Sequence, residues 1–378
     1  MSDFFKENLQ RLKDQGLYRF LKTVESDQGP EITFEGKKYL NFSSNNYLGL
    51  ANHPALIQAA IEATQKYGTG SGASRLITGS MSLHQELEEK IAKFKGVEAA
   101  LLFNSGYHAN IGIIPTVVGE RDAVFSDELN HASLIDGCRL SKAKTLVYRH
   151  NDMEHLEELL VSASYVKKLI ITDSVFSMDG DLAPLPQIIN LAEKYDALVL
   201  VDEAHATGVF GKTGRGVVEH FGISSDHPRL IQMGTLGKAL GSFGAYVCGA
   251  RSFVDYLINR ARSFIFTTAL SPGVAASALA AVNLISENLS YKDQLWKNVN
   301  YFGEKLGNKF FSPIFPLIIG DSKKTMEASE KLFQTGIWAQ GIRPPTVNEG
   351  TSRLRLTLMA THTREHLDRC LEALHSCL

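Results

Sequence analysis

No stretch of this 378-residue chain is long and apolar enough to read as a membrane span; the longest such run, Val274–Ile285, is short and is interrupted by Ser277 and Asn283. The opening residues MSDFFKENLQRLKDQG are charged throughout, so no signal peptide is expected. There are only four cysteines (Cys138, Cys248, Cys370 and Cys377), and none are in CxxC spacing, so free thiols in a reducing cytoplasm are expected rather than disulfides. Charge of one sign is missing too. The 39 basic residues nearly balance the 41 acidic ones, leaving −2 and no net field that would favour nucleic acid or an anionic membrane, so substrates should be found by a pocket. The glycine-rich stretch Gly68–Gly79 fits neither GxGxxG after a strand nor GxxxxGK[ST], and no HExxH spacing marks a metal site. Internal repeats and low-complexity tracts are absent as well.

Within an ordinary globular composition, one segment stands out: Leu230–Ala245, LIQMGTLGKALGSFGA, in which Lys238 is the only charge. It reads as a buried strand running into a glycine-rich turn that lets backbone approach a ligand. An ammonium in apolar surroundings tends to lose its proton, and a neutral amine forms a Schiff base with a carbonyl. On this segment alone, a lysine snorkelling to solvent from a loop is an equal alternative.

Before it, residues 3–22 place Phe5, Leu9 and Leu12 on one helical face, an amphipathic arm expected to pack on a larger body. Lys38–Phe42 alternates as a short strand, a polar turn leads to a helix after Pro54, and Ser82 with Gln85 predicts a capping box. From residue 99 short apolar runs alternate with helical stretches: Ala99–Phe103, Ala123–Phe125, Thr145–Tyr148, Leu169–Thr172, Ala197–Val201, Leu230–Met233 and Ala245–Cys248. Seven such strands predict an α/β fold with a mainly parallel sheet covered on both faces, one strand antiparallel because the last connection is too tight for a long crossover. After a helix near 272–287, a smaller α/β unit follows, with strands near Ile314–Ile319, Ile337–Ala339 and Leu354–Leu358 and helices near 323–335 and 363–376. The expected division is an arm over 1–40, a large domain over 41–285 and a small C-terminal domain over 286–378.

Ligands of parallel sheets sit beyond the carboxyl ends of the strands. That rule gathers Asn104 to His108, Ser126 and Asp127 with His131, Asp173 to Ser177, Asp202 with His205, and Thr235 to Lys238. Asp202, closing ALVLVD, is placed to hold a positive charge, although an ion pair or helix cap is an alternative. Asp202, Glu203, His205 and His131 are metal-ligand types without metal-ligand spacing, so no metal is expected. Ser105-Gly106-Tyr107 opens a helix after a strand, where free amides favour a phosphate, and the hydroxyls of Ser177 and Thr235 could add donors. An amine, a carboxylate and a phosphate cradle together match pyridoxal 5'-phosphate.

With NFSSNNYLGL (41–50), GSGASRLITG (70–79), LFNSGYHAN (102–110), LNHASLIDG (129–137), VFSMDGDLAPL (175–185), LVDEAHATGVFG (200–211), TLGKALGSFGA (235–245) and IRPPTVNEGTSRLRLTLMATHT (342–363), the chain resembles the α-oxoamine synthase family of fold-type I pyridoxal-phosphate enzymes over nearly its whole length. The resemblance implies that Lys238 holds the cofactor and then moves the α-proton, Asp202 pairs with the pyridinium nitrogen, His131 stacks on the ring and His205 bonds the ring hydroxyl. It implies that Ser105, Gly106, Tyr107, Ser177 and Thr235 surround the cofactor, with Thr267 or Thr268 reaching the phosphate of a neighbouring subunit in a homodimer. Asn45 and Arg355 match the positions that hold the amino-acid carboxylate, and Arg19, Arg343 and Thr346 match others that meet substrate. In TSRLRLTL, strand alternation places Arg353 and Arg355 on one face and the leucines on the other, so only one arginine need be functional. Asn348 and Asn46 depart from the family pattern, where proline and aspartate are commoner. The implied reaction is decarboxylative condensation of an amino acid with an acyl thioester. The resemblance favours L-alanine and a pimeloyl thioester, carried on coenzyme A or acyl carrier protein, with IRPPTV pointing to the pimeloyl chain without excluding another; glycine C-acetyltransfer, 5-aminolevulinate synthesis and long-chain aminoketone synthesis are rivals.

Overall fold

The computed structural model describes residues 2–15, 17–307 and 310–377. A hairpin of β1 (Glu31–Phe34) and β2 (Lys37–Asn41) turns at Glu35 and Gly36, both with positive φ, the geometry that matches the strands' twist. The seven strands expected from their apolar runs follow as β3 (Ala99–Phe103), β4 (Ala123–Asp127), β5 (Lys144–Tyr148), β6 (Lys168–Asp173), β7 (Leu198–Asp202), β8 (Leu230–Thr235) and β9 (Ala245–Gly249). They form one sheet in the order β3-β9-β8-β7-β6-β4-β5. Four pairings are parallel, and β9 runs antiparallel to both β8 and β3.

Apart from the edge strand β5, which is partly exposed, the apolar runs are continuous because both faces are buried. Ile170, Val199 and Val201 join one core with the helices Ser82–Lys95, Leu185–Lys194 and Pro272–Glu287, while Leu169, Ile171 and Leu200 join another with Gly106–Val117, Ala132–Ser141 and Arg251–Arg260. Pairing registers set Asp173 beside Asp202 and Asp202 beside Met233, so the carboxyl ends of β6, β7 and β8 lie level.

The C-terminal part contains β10 (Ile314–Gly320), β11 (Ile337–Trp338), β12 (Gln340–Ile342) and β13 (Ser352–Thr357), with the helices Ser322–Gln334 and Arg364–Cys377. The strand expected over Ile337–Ala339 is present as β11, ending at Trp338, and a further strand, β12, follows from Gln340. β11 pairs with β2 of the hairpin, where Trp338 meets Phe34, Tyr39 and Phe333, and β12 pairs with β13. The hairpin at 31–41 is thereby tied to the C-terminal part rather than left in an arm.

Two local expectations fail. The helix Ser82–Lys95 is capped by His84, whose Nδ1 accepts from the Met81 amide, while Ser82 bonds Tyr67 and Gln85 bonds Glu89 along the helix face. The helix Ser2–Asp14 does not pack its stripe on the body: Phe5, Leu9 and Leu12 are 58%, 46% and 39% exposed in the single chain. Among the described residues no helix is long and apolar enough to cross a membrane.

Candidate active site

Lys238 lies just past the end of β8, in a turn that folds back on itself through Leu236 N–H to Gly244 O (2.9 Å) and Gly241 N–H to Lys238 O (3.0 Å). Gly241 has φ +62°, and a Cβ there would run into the backbone of Leu50 and Ala51. This close approach presses the 41–50 segment against the lysine turn and builds a bonded chain. Lys238 Nζ donates to His205 Nε2 at 2.9 Å, His205 Nδ1 meets Tyr47 Oη at 2.6 Å, and Tyr47 donates to Asn45 Oδ1 at 3.2 Å. With the hydroxyl donating to Asn45, His205 carries its proton on Nδ1 and leaves Nε2 to accept from the lysine. Arg355 Nη2 reaches the same Asn45 Oδ1 at 3.1 Å, and Arg355 Nε bonds the Ser177 carbonyl.

Burial controls the electrostatics. It pushes Lys238 down to about 8, against the opposing pull of Asp202 and Asp173, with Arg355 adding to the fall. It pushes His205 well below its ordinary value, helped by Lys238, Arg355 and His131, and lifts Tyr47 to about 12. At the adjoining strand ends, Asp202 Oδ1 accepts from Ala204 N–H and Oδ2 from Asn110 Nδ2, both at 2.9 Å. Burial and the neighbouring Asp202 lift Asp173 well above the usual carboxyl range; its Oδ2 accepts from the His131 amide at 2.7 Å. His131 turns its Nδ1 edge inward to Ser133 and leaves the other face open; loss of water on the inner edge lowers its pKa.

The helix Gly106–Val117 begins here with Ser105 as its cap, Oγ accepting from His108 N–H at 3.2 Å. Gly106 lies so close to β8 that a Cβ would sit 2.9 Å from Thr235 Cγ2, a cradle that a side chain would fill. The amides of Gly106 and Tyr107 are first-turn donors that a helix leaves unpaired. Tyr107 itself is exposed, its hydroxyl donating to Asp136 at 2.7 Å. Asn104, which precedes the cap, donates to the Thr268 carbonyl at 2.8 Å and to Thr267 Oγ1 at 3.4 Å. An amine near neutrality, a buried carboxylate with acceptor capacity left and an amide cradle suit the three polar ends of pyridoxal phosphate.

The structure separates the two strand arginines. Both turn to the 177–179 loop, but Arg353 is paired with Asp179, whereas Arg355 forms no ion pair among the described residues. The leucine face is buried as well, so alternation does not distinguish a wet side from a dry one. Arg19, Arg343 and Thr346 are brought together elsewhere, in a cleft of about 680 Å³ walled by Tyr18, Lys22 and Trp338. A roomier cleft of about 1300 Å³ shares Arg343 with it, and Lys238 lines neither. It is convergence of polar groups, rather than cavity size, that singles out the strand ends as the candidate site. Tyr47, Asn110 and Ser133 were not singled out from sequence. Asn110 lies one helical turn past Gly106, a spacing that puts it on the same face and was the available signal. Among the described residues no group of three or more potential metal ligands occurs.

The family model for aminotransferases of class I and II matches residues 37–374. The 8-amino-7-oxononanoate synthase of Thermoanaerobacter pseudethanolicus is 51% identical over 380 residues, 98% of this chain and 95% of that protein. A serine palmitoyltransferase from S. paucimobilis, solved with bound pyridoxal phosphate and myriocin, superposes with a TM-score of 0.93 at 31% identity, covering 99% of this chain and 96% of that one. The 8-amino-7-oxononanoate synthase of Francisella tularensis superposes at 0.78, also 31% identical, over 89% and 97% of the two chains. The chain therefore belongs to the class I and II aminotransferase family and, within it, to the α-oxoamine synthases.

Proposed function

We propose that the chain is a pyridoxal-phosphate-dependent 8-amino-7-oxononanoate synthase, joining L-alanine to a pimeloyl thioester with release of carbon dioxide and the free thiol carrier. The observation that carries this reading is 51% identity to a protein of that name over 98% of the chain, against 31% for the serine palmitoyltransferase.

When bound, pyridoxal phosphate supplies an aldehyde and a protonated pyridine ring that withdraws electrons from the amino acid's α-carbon. Lys238 Nζ, lowered to about 8 by burial, would hold the aldehyde and then take the α-proton. His205 and Tyr47 aim that amine, and His205 would bond the ring hydroxyl. Asp202, its carboxylate fixed by Asn110 and Ala204, would hold the positive charge at the ring nitrogen. His131 would pack on the ring, and Ser105, Gly106, Tyr107, Ser177 and Thr235 would surround the cofactor. Asn45 and Arg355 hold the alanine carboxylate, for which a guanidinium without a competing carboxylate has the right fork. The α-carbon then bonds the thioester carbonyl carbon, the carbon–sulfur bond breaks, the carboxylate leaves as carbon dioxide, and a proton returns to the α-carbon. Two guanidinium groups in the Arg19, Arg343 and Thr346 cleft suit an acyl chain ending in a carboxylate better than a plain fatty chain.

The reading includes a homodimer in which Thr267 or Thr268 reaches the partner's phosphate and the exposed stripe of Phe5, Leu9 and Leu12 is covered. It includes a reducing cytoplasm, in keeping with four free thiols. The test is product analysis by mass spectrometry with alanine, glycine or serine against pimeloyl, acetyl, succinyl and palmitoyl thioesters on coenzyme A and on acyl carrier protein. Alanine with a pimeloyl thioester should be preferred; preference for serine with palmitoyl, or glycine with acetyl or succinyl, overturns it.

A further inference from the structure

We infer that Asn110 and Ser133 are positioning residues that transmit the polarity of the Asp202 carboxylate to His131 and hold its imidazole as the neutral tautomer protonated on Nε2. Four side chains from three elements make one directed chain. Asn110 Nδ2 lies 2.9 Å from Asp202 Oδ2 and 2.9 Å from Ser133 Oγ, and Ser133 Oγ lies 2.7 Å from His131 Nδ1. Asp202, Asn110 and Ser133 are all buried, so water does not substitute for the links from Asp202 to Ser133.

The direction follows from what each group can do. A carboxylate only accepts, so the Asn110 amide must present its NH₂ to Asp202, and the second N–H of that group goes to Ser133. Ser133 Oγ, already accepting, has its own proton free for His131 Nδ1. The Ser133 amide donates to the same Nδ1 at 3.2 Å, so that nitrogen receives two donors and must carry a lone pair. An imidazolium, with a proton on each nitrogen, would set N–H against N–H there. The fall of the His131 pKa on burial of that edge has the same sign. One feature shows the cost of this arrangement: Asn110 Oδ1 is buried and bonds nothing among the described residues. Turning the amide over would satisfy that oxygen only by aiming it at the carboxylate.

The outcome is that His131 presents a single donor, Nε2–H, toward the open pocket and stays uncharged next to Lys238. A charged ring there would oppose the positive charge that Asp202 is placed to hold at the cofactor nitrogen. The inference rests on reading this pocket as the cofactor site, but its primary readout does not need turnover.

The experiment is ¹⁵N–¹H long-range NMR of the imidazoles in the pyridoxal-phosphate-loaded protein, with His131 assigned by its loss in His131→Gln. The wild type should show the neutral Nε2–H pattern from about pH 6 to about pH 8. Ser133→Ala keeps the backbone donor but breaks the chain, and should give a mixture of tautomers or a charged ring at the acid end, with turnover down about tenfold. Ser133→Thr, which keeps a hydroxyl, should restore the wild-type pattern, and Asn110→Ala should behave like Ser133→Ala. Unchanged signals from the other histidines show that each variant is folded. An Nδ1–H or charged His131 in the wild type, or a Ser133→Ala spectrum identical to it, overturns the inference. Failure to make product from alanine while the Nε2–H pattern holds would reject the proposed reaction and leave this network standing.

Discussion

The pocket at the strand ends and the cleft in the C-terminal part hold charged residues in different ways. Around Lys238, strand register sets Asp173 level with Asp202, and hydrogen bonds hold the buried His205 between Lys238 and Tyr47. The cleft of Arg19, Arg343 and Thr346 is walled partly by an extended segment at 17–22, whose Phe20 and Leu21 are exposed. That segment is fastened by Lys22, 3.9 Å from the Phe333 ring centroid, and by Arg343 Nη2 donating to the Tyr18 carbonyl at 3.5 Å. Bond making needs donors fixed before reaction, because reorganising them during the step adds to the barrier. Selecting an acyl chain needs only complementary charge and room. The difference predicts a graded series, severe lesions at the strand ends and mild ones in the cleft.

The largest effect should come from Asp202→Asn, since an amide cannot balance a pyridinium charge. Exchange of the alanine α-proton in deuterated water should fall by about a hundredfold or more, with the fold intact. Exchange at the wild-type rate would reduce Asp202 to a structural residue. Arg355→Ala should lower kcat/KM for alanine by on the order of a hundredfold, because truncating one partner of a buried charge-assisted contact costs about 2–5 kcal/mol. Arg353→Ala offers the control: loss of its Asp179 pair should show in stability more than in the alanine KM. Arg343→Ala should raise KM for the pimeloyl thioester about tenfold with kcat nearly unchanged, the mark of uniform binding lost. An equal fall in kcat would move that cleft into the chemistry. The smallest effect belongs to Lys22→Gln, about threefold on the same KM, as an exposed cation over aromatic rings contributes about 0.5–1 kcal/mol.

The seven strands were legible because each is a short, mainly apolar run, and in all but the edge strand β5 burial on both faces removes any alternation to misread. That Asp202, His205 and Lys238 come together was legible because the strand ends of such a sheet converge. What was not legible depends on contacts distant in sequence. Tyr47 and His205 are 158 residues apart, and Asn110 and Asp202 are 92 apart, so no local pattern announces either bond. The additional strand β12 at Gln340–Ile342 was not legible because it exists through its pairing with β13, while Trp338 just before it is held in the aromatic cluster of the hairpin. Capping by His84 escaped because Ser82 and Gln85 satisfy the usual pattern, while the imidazole, also bonded to the Leu270 carbonyl at 2.8 Å, supplies the acceptor. The choice of Arg355 over Arg353 rests on Asp179, which strand periodicity does not contain.

The central claim is that Lys238, with its pKa lowered by burial, is the group that captures the cofactor's carbonyl. Apoprotein mixed with pyridoxal phosphate across a pH series, reduced with borohydride and digested, reports both the residue and its titration. Below its pKa the amine is protonated and not nucleophilic, so capture should rise with pH around a midpoint near 8, the value set mainly by burial. The label should fall on the peptide containing Lys238 and be absent from Lys238→Ala. A label on another lysine, or a midpoint near the ordinary 10.5 of an exposed amine, would contradict the account.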